Sequence, residues 1–100
     1  MPEPRQRVVP GSLLYFVYIV RCRDGSFYTG YARDPHARAR AHNRGTGAKY
    51  TCGRRPVRLV YIEECMTKSA ALKREYELKQ WSRQEKQALV RARRRGRTIE

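Results

Sequence analysis

The stretch FVYIVRCRDGSFYTGYARDPHARARAHNRG, residues 16–45, contains the strongest structural signals of the chain. Its apolar start belongs to a run rich in Val, Ile, Tyr and Phe, which is typical of a strand buried on both faces. The sequence RDGS at residues 23–26 predicts a hairpin turn, because Gly25 is free to adopt a positive φ. We therefore expect a β-hairpin with a first strand at residues 14–22 and a second strand at residues 27–32.

A helix with clear start and stop signals is predicted directly after the hairpin. Asp34 can cap the free amides of its first turn, Pro35 suits the first helical position, and Gly45 can end it. Alanine is the helix's only apolar residue type, so the helix should lie close against the sheet. Arg38 and His42 are four residues apart and share one face. Taken alone, the helix favours a solvated face for both.

The remaining segments complete a predicted order of β-β-α-β-α-α. They are a loop with one short helical turn at 46–56, a strand at 57–65, a helix capped by Thr67 or Ser69 that runs to about Gln80, and a helix capped by Ser82 that runs to about Arg93. This order predicts an α/β (α+β) domain, in which helices flank a small three-stranded antiparallel sheet.

The length and composition of the chain predict one domain with two polar ends. Residues 1–12 contain three prolines and a glycine and are expected to form a flexible arm. Residues 93–100 are expected to form a basic C-terminal tail, which leaves residues 13–92 for the domain. Apolar residues make up 40% of the chain, enough for one small core.

Positive charge is the strongest feature of the composition. Lys and Arg number 23 against nine Asp and Glu, which gives a formal net charge of +14. Residues 1–50 carry nine basic and three acidic side chains, and residues 51–100 carry fourteen and six, so the domain itself is basic. A basic domain predicts a polyanionic partner, most often nucleic acid. An anionic membrane surface is less favoured, because no basic helix has a bulky apolar face to spare.

Cysteine usage and apolar runs bear on the compartment. The cysteines are Cys22, Cys52 and Cys65, an odd number without a CxxC pair, so neither a disulfide framework nor a zinc ribbon is indicated. Free thiols in a reducing, cytoplasmic environment are expected. The apolar run at residues 13–20 is too short for a signal peptide or a membrane span, and arginines follow it.

One acidic residue on the third helix stands among apolar neighbours. Glu75 lies four residues after Ala71 and three before Leu78, so its carboxylate leans toward the core. Such a carboxylate needs a partner, which is either an arginine or a divalent cation. Glu77 faces water instead and can pair with Lys73.

Together these residues resemble the GIY-YIG nuclease family. The matching elements, in order, are FVY ending in Tyr18, YTG at 28–30, Arg38, HN at 42–43, GAKYT at 47–51 and RE at 74–75. The resemblance covers residues 14–82 and is closest to small bacterial stand-alone members. It is more distant to the N-terminal nuclease domain of the repair excinuclease. Two positions depart from the family's name, with Phe16 for the first glycine and Thr29 for the second isoleucine.

The resemblance implies hydrolysis of phosphodiester bonds with one divalent metal ion, Mg²⁺ or Mn²⁺. Glu75 would hold the metal, Tyr18 would activate or orient the attacking water, and Arg38 would stabilise charge on the phosphate. Tyr28 and His42 would orient the water, the phosphate or the leaving oxygen. Further candidates for contact with nucleic acid are Lys49, Arg40, Arg44, Arg54 and Arg55.

If Tyr18 and Tyr28 share one site, the number of residues in the hairpin loop is restricted. A two-residue turn at Asp24 and Gly25 would place the two tyrosines on opposite faces of the sheet. A loop with an odd number of residues, such as residues 23–25 with Gly25 in the left-handed region, places them on one face. We therefore predict the odd loop.

Three functions are compatible with these observations. The first is a metal-dependent endonuclease of DNA in repair or recombination, with RNA as the other nucleic acid considered. The second is a non-catalytic nucleic-acid-binding module on the same fold. The third is a small basic protein associated with RNA or the ribosome, which gives no reason for an inward Glu75. Sequence or structure specificity would then come from loops, the basic tail or a protein partner.

Overall fold

The structure is a computed structural model that describes residues 14–99, with the side chains of residues 14–93. Its elements are β1 (Tyr15–Arg21), β2 (Phe27–Ala32), α1 (Pro35–Arg44), α2 (Lys49–Cys52), β3 (Arg58–Cys65), α3 (Lys68–Lys79) and α4 (Arg83–Ile99). The predicted order β-β-α-β-α-α is confirmed, and α2 is the short helical turn expected in the loop. The predicted arm, residues 1–12, lies outside the described residues.

The sheet is antiparallel, with strand order β2-β1-β3 and β1 in the centre. Residues 17–20 of β1 are completely buried, which confirms a strand covered on both faces. One face of β1 packs on α3 and α4, where Val17 meets Leu78 and Ile19 meets Val90. The other face packs on α1, where Ala39 contacts the cluster around Tyr18. The first face holds most of the apolar core, and the second holds the polar groups described below.

The hairpin has the odd loop that a shared site requires. The Cys22 N–H donates to the Ser26 carbonyl at 2.8 Å, so residues 23–25 form the loop, and Gly25 has φ of 87°. In the resulting register Tyr18 lies opposite Gly30, and Tyr28 lies two residues from Gly30 on the same strand. Tyr18 and Tyr28 therefore lie on the same face of the sheet.

Local capping sets the ends of α1 as the sequence predicts. The Asp34 carboxylate accepts a hydrogen bond from the Ala37 N–H at 3.1 Å, and Pro35 is the first helical residue. At the other end Gly45 has φ of 87°, and its N–H donates to the carbonyls of the last turn. Because α1 contacts all three strands, this capping fixes the helix against the sheet.

The caps of α3 and α4 are also local. Thr67, one of the two residues predicted to cap α3, accepts from the Ala70 N–H at 3.0 Å. Ser82 and Glu85 form a reciprocal capping box, in which each backbone N–H donates to the other's side chain. The end predicted for α4 near Arg93 is too early, since α4 runs to Ile99. The segment is rich in arginine and alanine, which are strong helix formers.

An ion-pair network joins α3 to β3. The Arg74 guanidinium donates to Glu63 of β3 at 2.9 Å and to Glu77 at 2.9 Å. The predicted pair between Glu77 and Lys73 is therefore wrong, because Arg74 is three residues away on the same turn and is already held by β3. This network orients α3 and the residue that follows Arg74. Among residues 14–99, no helix has both the length and the apolar character needed to cross a bilayer.

Candidate active site

A chain of buried hydrogen bonds lies between the sheet and α1. The Tyr18 hydroxyl is 2.9 Å from His42 Nε2, and His42 Nδ1 is 2.8 Å from Thr51 Oγ1 on α2. The Thr51 hydroxyl in turn donates to the Ala48 carbonyl at 3.1 Å. Tyr18, His42 and Thr51 are each 0% exposed. The solvated face expected from α1 alone is thus wrong for His42, because partners from two other elements satisfy its ring nitrogens.

Two glycines make room for this chain of hydrogen bonds. A Cβ atom at Gly30 would lie 2.6 Å from the Tyr18 hydroxyl oxygen, closer than any real contact allows. A Cβ at Gly47 would collide with the His42 ring and its Cα. Glycine is therefore required at both positions for close approach of the aromatic rings rather than for an unusual φ.

Aromatic rings extend the site toward solvent. The Tyr28 ring meets His42 edge-on, with centroids 5.1 Å apart, and stacks on Tyr50 at 5.9 Å. The Arg54 guanidinium covers the Tyr50 ring, 4.0 Å from its centroid. Tyr28 is only partly buried, so it forms the rim between the buried hydrogen-bond chain and the surface.

The buried pair is neutral at neutral pH. Burial raises the pKa of Tyr18, although the hydrogen bond and charge of the Arg38 guanidinium oppose that shift. Burial lowers the pKa of His42, and the positive charge of Arg38 lowers it further. Arg38 thus acts on both groups from the exposed side of α1. A phenol beside a neutral imidazole is able to pass a proton from oxygen to nitrogen.

Glu75 reaches the same region from α3. Its side chain is 16% exposed and pairs with Lys79 Nζ at 3.2 Å. Lys79 Nζ lies 5.7 Å from the centroid of the Tyr28 ring, and the negative charge of Glu75 contributes to the raised pKa of Tyr18. The sequence left an arginine or a metal ion as the partner of Glu75. The partner present is instead a lysine, which the i,i+4 spacing could have indicated.

The residues present suit one kind of metal site. Within the part of the chain whose side chains are described, no three His, Cys, Asp or Glu side chains group into a metal cage. Mg²⁺ needs no such cage, since it is commonly held by one or two carboxylates, waters and substrate phosphates. Glu75 is a half-buried carboxylate whose partner Lys79 lies over the Tyr28 ring and whose charge acts on Tyr18, and it fits that role once Lys79 releases it.

The basic residues proposed to contact nucleic acid fall into two groups. Arg40, Arg44 and Lys49 are exposed on α1 and α2. Arg54 and Arg55 are engaged within the protein, Arg54 with Asp24 at 3.1 Å and Arg55 with the Cys52 carbonyl at 2.8 Å. The second pair therefore supports the loop after α2 in addition to any contact with phosphate.

Of the five side chains proposed for catalysis, Tyr18, Tyr28 and His42 are in direct contact. The charges of the other two, Arg38 and Glu75, act on the pKa of Tyr18, and Glu75 is linked to Tyr28 through Lys79. Asn43, part of the HN element, has a structural role, since its amide exchanges two hydrogen bonds with the Val57 backbone at the start of β3. Thr51 and Lys79 were not proposed from the sequence. Nothing in the sequence identifies Thr51 beyond its place in GAKYT.

Comparison with known proteins gives a consistent result. Residues 14–88 match the family described as GIY-YIG catalytic domain. UPF0213 proteins of Staphylococcus aureus strains Mu3 and N315 are each 63% identical over 79 residues, covering 79% of this chain and 96% of theirs. The solution NMR structure of the UPF0213 protein BH0048 from Bacillus halodurans is 47% identical. It has a TM-score of 0.52 and covers 79% of this chain and 84% of that one.

Proposed function

Since the chain belongs to the GIY-YIG catalytic domain family, we propose that it is a divalent-metal-dependent endonuclease that hydrolyses phosphodiester bonds in DNA. One observation carries the proposal. Two phenols and an imidazole from β1, β2 and α1 are in contact, and the charges of a guanidinium on α1 and a carboxylate on α3 act on the inner phenol. A structural core has no need of so many ionisable groups, each of which costs desolvation energy.

Arg38 is the group that would meet the phosphate first. It lies on the exposed side of α1, and its guanidinium carries a fixed positive charge in a forked geometry that matches phosphate oxygens. Tyr18 is completely buried in this conformation, so its oxygen would have to become accessible before it could act on the attacking water. Arg38 would then stabilise the negative charge that develops on the phosphate.

The phenol and the imidazole would handle the proton. Water attacks phosphorus, the bond to the leaving oxygen breaks, and the attacking water loses a proton. Tyr18 can accept that proton only as a phenolate, and His42 Nε2 at 2.9 Å is placed to hold the phenol's proton. Movement of Arg38 toward the phosphate would weaken the smaller of the two effects that lower the pKa of His42, the larger being burial.

Glu75 is the residue that would hold Mg²⁺ or Mn²⁺. When bound, a divalent ion supplies positive charge that offsets the charges of the phosphate and of the attacking oxygen. In its absence Lys79 supplies the countercharge of Glu75. Tyr28, between Lys79 and His42, would orient the substrate or the water at the rim of the site.

A non-catalytic binding module on the same fold is the second candidate. The full burial of Tyr18 favours it, because a buried phenol can also serve as a purely structural partner of His42. Exposed Arg40, Arg44 and Lys49 would bind phosphates in either case.

Cleavage assays distinguish the candidates. Labelled DNA and RNA are incubated with the protein and Mg²⁺ or Mn²⁺, and then with EDTA. We expect DNA cleavage that EDTA abolishes and that Glu75→Ala eliminates, while metal-free DNA binding by Glu75→Ala holds or tightens. Glu77→Ala is the matched control on the same helix and should cleave like the wild type. Binding of DNA without cleavage under every condition would establish the binding module, and a preference for RNA without cleavage would indicate an RNA-associated protein.

The stability of Glu75→Ala separates a catalytic from a structural loss. Lys79, the partner of Glu75, is 45% exposed, so its charge stays hydrated when the carboxylate is removed. The free energy of unfolding should therefore fall by no more than about 1 kcal/mol, as for other exposed ion pairs. A larger loss, measured by urea unfolding, would mean that absent cleavage reflects a damaged fold.

A further inference from the structure

At the Ala48 end of the buried hydrogen-bond chain, the donor and the acceptor of each hydrogen bond are fixed. The Ala48 carbonyl can only accept, and it lies 3.1 Å from Thr51 Oγ1, so the single hydroxyl proton of Thr51 points to it. Thr51 Oγ1 must then accept from its other neighbour, His42 Nδ1, at 2.8 Å. The proton of the His42 ring is therefore on Nδ1.

The Tyr18 end is compatible with the same direction. With the ring proton of His42 on Nδ1, Nε2 is a bare nitrogen that can accept a hydrogen bond. It lies 2.9 Å from the Tyr18 hydroxyl, which can donate the phenol proton to it. From Tyr18 to Ala48, every hydrogen bond then runs in one direction.

The opposite tautomer is unfavourable at both ends. A proton on Nε2 would point to the Tyr18 oxygen, and the phenol proton would then have no acceptor in this chain of hydrogen bonds. A bare Nδ1 would require the Thr51 proton, and that would leave the Thr51 oxygen facing the Ala48 carbonyl without a hydrogen between them. Buried polar groups without partners cost about 1–3 kcal/mol each.

We propose that Thr51 is a positioning residue that holds neutral His42 in the Nδ1–H tautomer, so that Nε2 is the acceptor for the Tyr18 proton. The assignment of the tautomer stands on hydrogen-bond geometry alone. Its effect on cleavage rests on the proposed nuclease function. Thr51 is completely buried next to His42, so it presents no surface to a substrate.

The tautomer is directly measurable by NMR. The chain has two histidines, and His36 is exposed on α1, so it serves as an internal reference for a ring in contact with solvent. In ¹⁵N-labelled protein above pH 7.5, long-range ¹H–¹⁵N spectra should show His42 with a protonated Nδ1 and a bare Nε2. A wild-type spectrum with a protonated Nε2 would overturn the proposal without any variant.

Substitutions test whether Thr51 is the cause. Thr51→Val keeps the shape and removes the acceptor, so His42 should shift toward the Nε2–H form that predominates in water. Thr51→Ser keeps the hydroxyl and should restore the Nδ1–H spectrum. Thr46→Val removes an exposed threonine hydroxyl that bonds to the Ala41 carbonyl and should leave the spectrum unchanged. An Nδ1–H spectrum that persists in folded Thr51→Val would refute the role of Thr51.

Cleavage kinetics test the effect of Thr51 on the proposed activity. If the wild type cleaves, Thr51→Val should lower kcat by about 10- to 100-fold with little change in KM, as when the partner that orients a histidine is lost, and Thr51→Ser should recover most of the rate. An unchanged kcat in Thr51→Val would overturn the positioning role. If the wild type does not cleave, the proposed function fails, while the NMR spectra still decide the tautomer and its cause.

Discussion

Thr29 is a buried polar residue of β2. It replaces the second isoleucine of the family's name and lies opposite Ile19, on the face of the sheet that packs on α3 and α4. Its side chain is 2% exposed, and its hydroxyl has no hydrogen-bond partner among the described residues. Thr29 therefore leaves a buried polar atom unpaired on this face of the sheet.

The first prediction follows from that hydroxyl. Thr29→Val removes the unpaired oxygen and keeps the volume, so the free energy of unfolding should rise by about 1 kcal/mol. Thr51→Val is the comparison variant. It removes a hydroxyl that makes two hydrogen bonds, so the free energy of unfolding should fall. Urea unfolding of the two variants measures both changes. A destabilised Thr29→Val would indicate a partner for the hydroxyl in the folded protein.

The second prediction concerns Gly30, opposite Tyr18. In Gly30→Ala the added methyl group would lie 2.6 Å from the Tyr18 hydroxyl oxygen and 2.7 Å from Cζ, and the buried ring has nowhere to move. We expect a loss of about 1–3 kcal/mol, typical of overpacking, and a broken bond to His42. Gly53→Ala is the control, since a Cβ there meets nothing within 4 Å and Gly53 has φ of −92°. Equal melting temperatures for the two variants would contradict this account.

Secondary-structure elements were predictable where their signals are local. Asp34, Thr67 and Ser82 cap their helices through bonds that span three residues, so sequence spacing alone identifies them. The odd hairpin loop followed from the condition that Tyr18 and Tyr28 share a face. The caps depend only on neighbours along the chain, whereas the prediction of the loop length depended on the shared site that the resemblance implies.

Tertiary partners were less accessible from the sequence. The burial of His42 depends on Tyr18, 24 residues earlier, and on Thr51, nine residues later, and helical periodicity carries no such information. The resemblance supplied His42 and Glu75 as site residues but not their partners. The hydrogen bond from Arg74 of α3 to Glu63 of β3 also joins residues that are far apart, eleven positions along the chain. Arg74 additionally bonds to Glu77, in place of the Lys73 partner expected from the sequence.

The third prediction concerns the pair on α3 beside the proposed metal position. Lys79 neutralises Glu75 and would compete with a divalent ion for it. Lys79→Met should therefore tighten Mn²⁺ binding by up to about fivefold, since an exposed ion pair is worth about 0.2–1 kcal/mol. Titration calorimetry on DNA-free protein measures this without reference to cleavage. Lys73→Met, exposed on the same helix, should not change the affinity, and weaker Mn²⁺ binding by Lys79→Met would argue against a metal at Glu75.

Acidic and basic side chains have different roles in the molecule. Most of the acidic side chains take part in caps or ion pairs, namely Asp24, Asp34, Glu63, Glu75, Glu77 and Glu85. Basic residues outnumber acidic ones by 23 to nine, and most of the basic side chains among residues 14–93 are exposed. The resulting field favours any polyanion, so charge explains why nucleic acid would bind but not which one.

The stability of the whole fold should depend on pH through the buried site. The pKa of His42 is lowered from 6.5 in the folded protein, because burial and then Arg38 disfavour the imidazolium. His42 in the unfolded chain therefore binds a proton as the pH falls through about 6.5, whereas His42 in the folded protein binds one only at a lower pH. Stability contributed by neutral His42 is present above pH 6.5 and is lost as pH falls below it. Tyr18 and Thr51, which face the ring, stay uncharged in this range.

The fourth prediction concerns the size and origin of the acid limb, which is the decrease in stability as the pH falls below 6.5. From pH 6.5 downward, the free energy of unfolding should fall by up to about 1.4 kcal/mol per pH unit, the slope for one proton. His42→Gln should flatten the limb between pH 6.5 and 5, although it lowers stability at pH 7.5 by breaking the bonds to Tyr18 and Thr51. His36→Gln, on the exposed side of α1, should keep the wild-type slope. Urea unfolding at closely spaced pH values measures all three proteins, and an equal slope in His42→Gln would show that another group produces the acid limb.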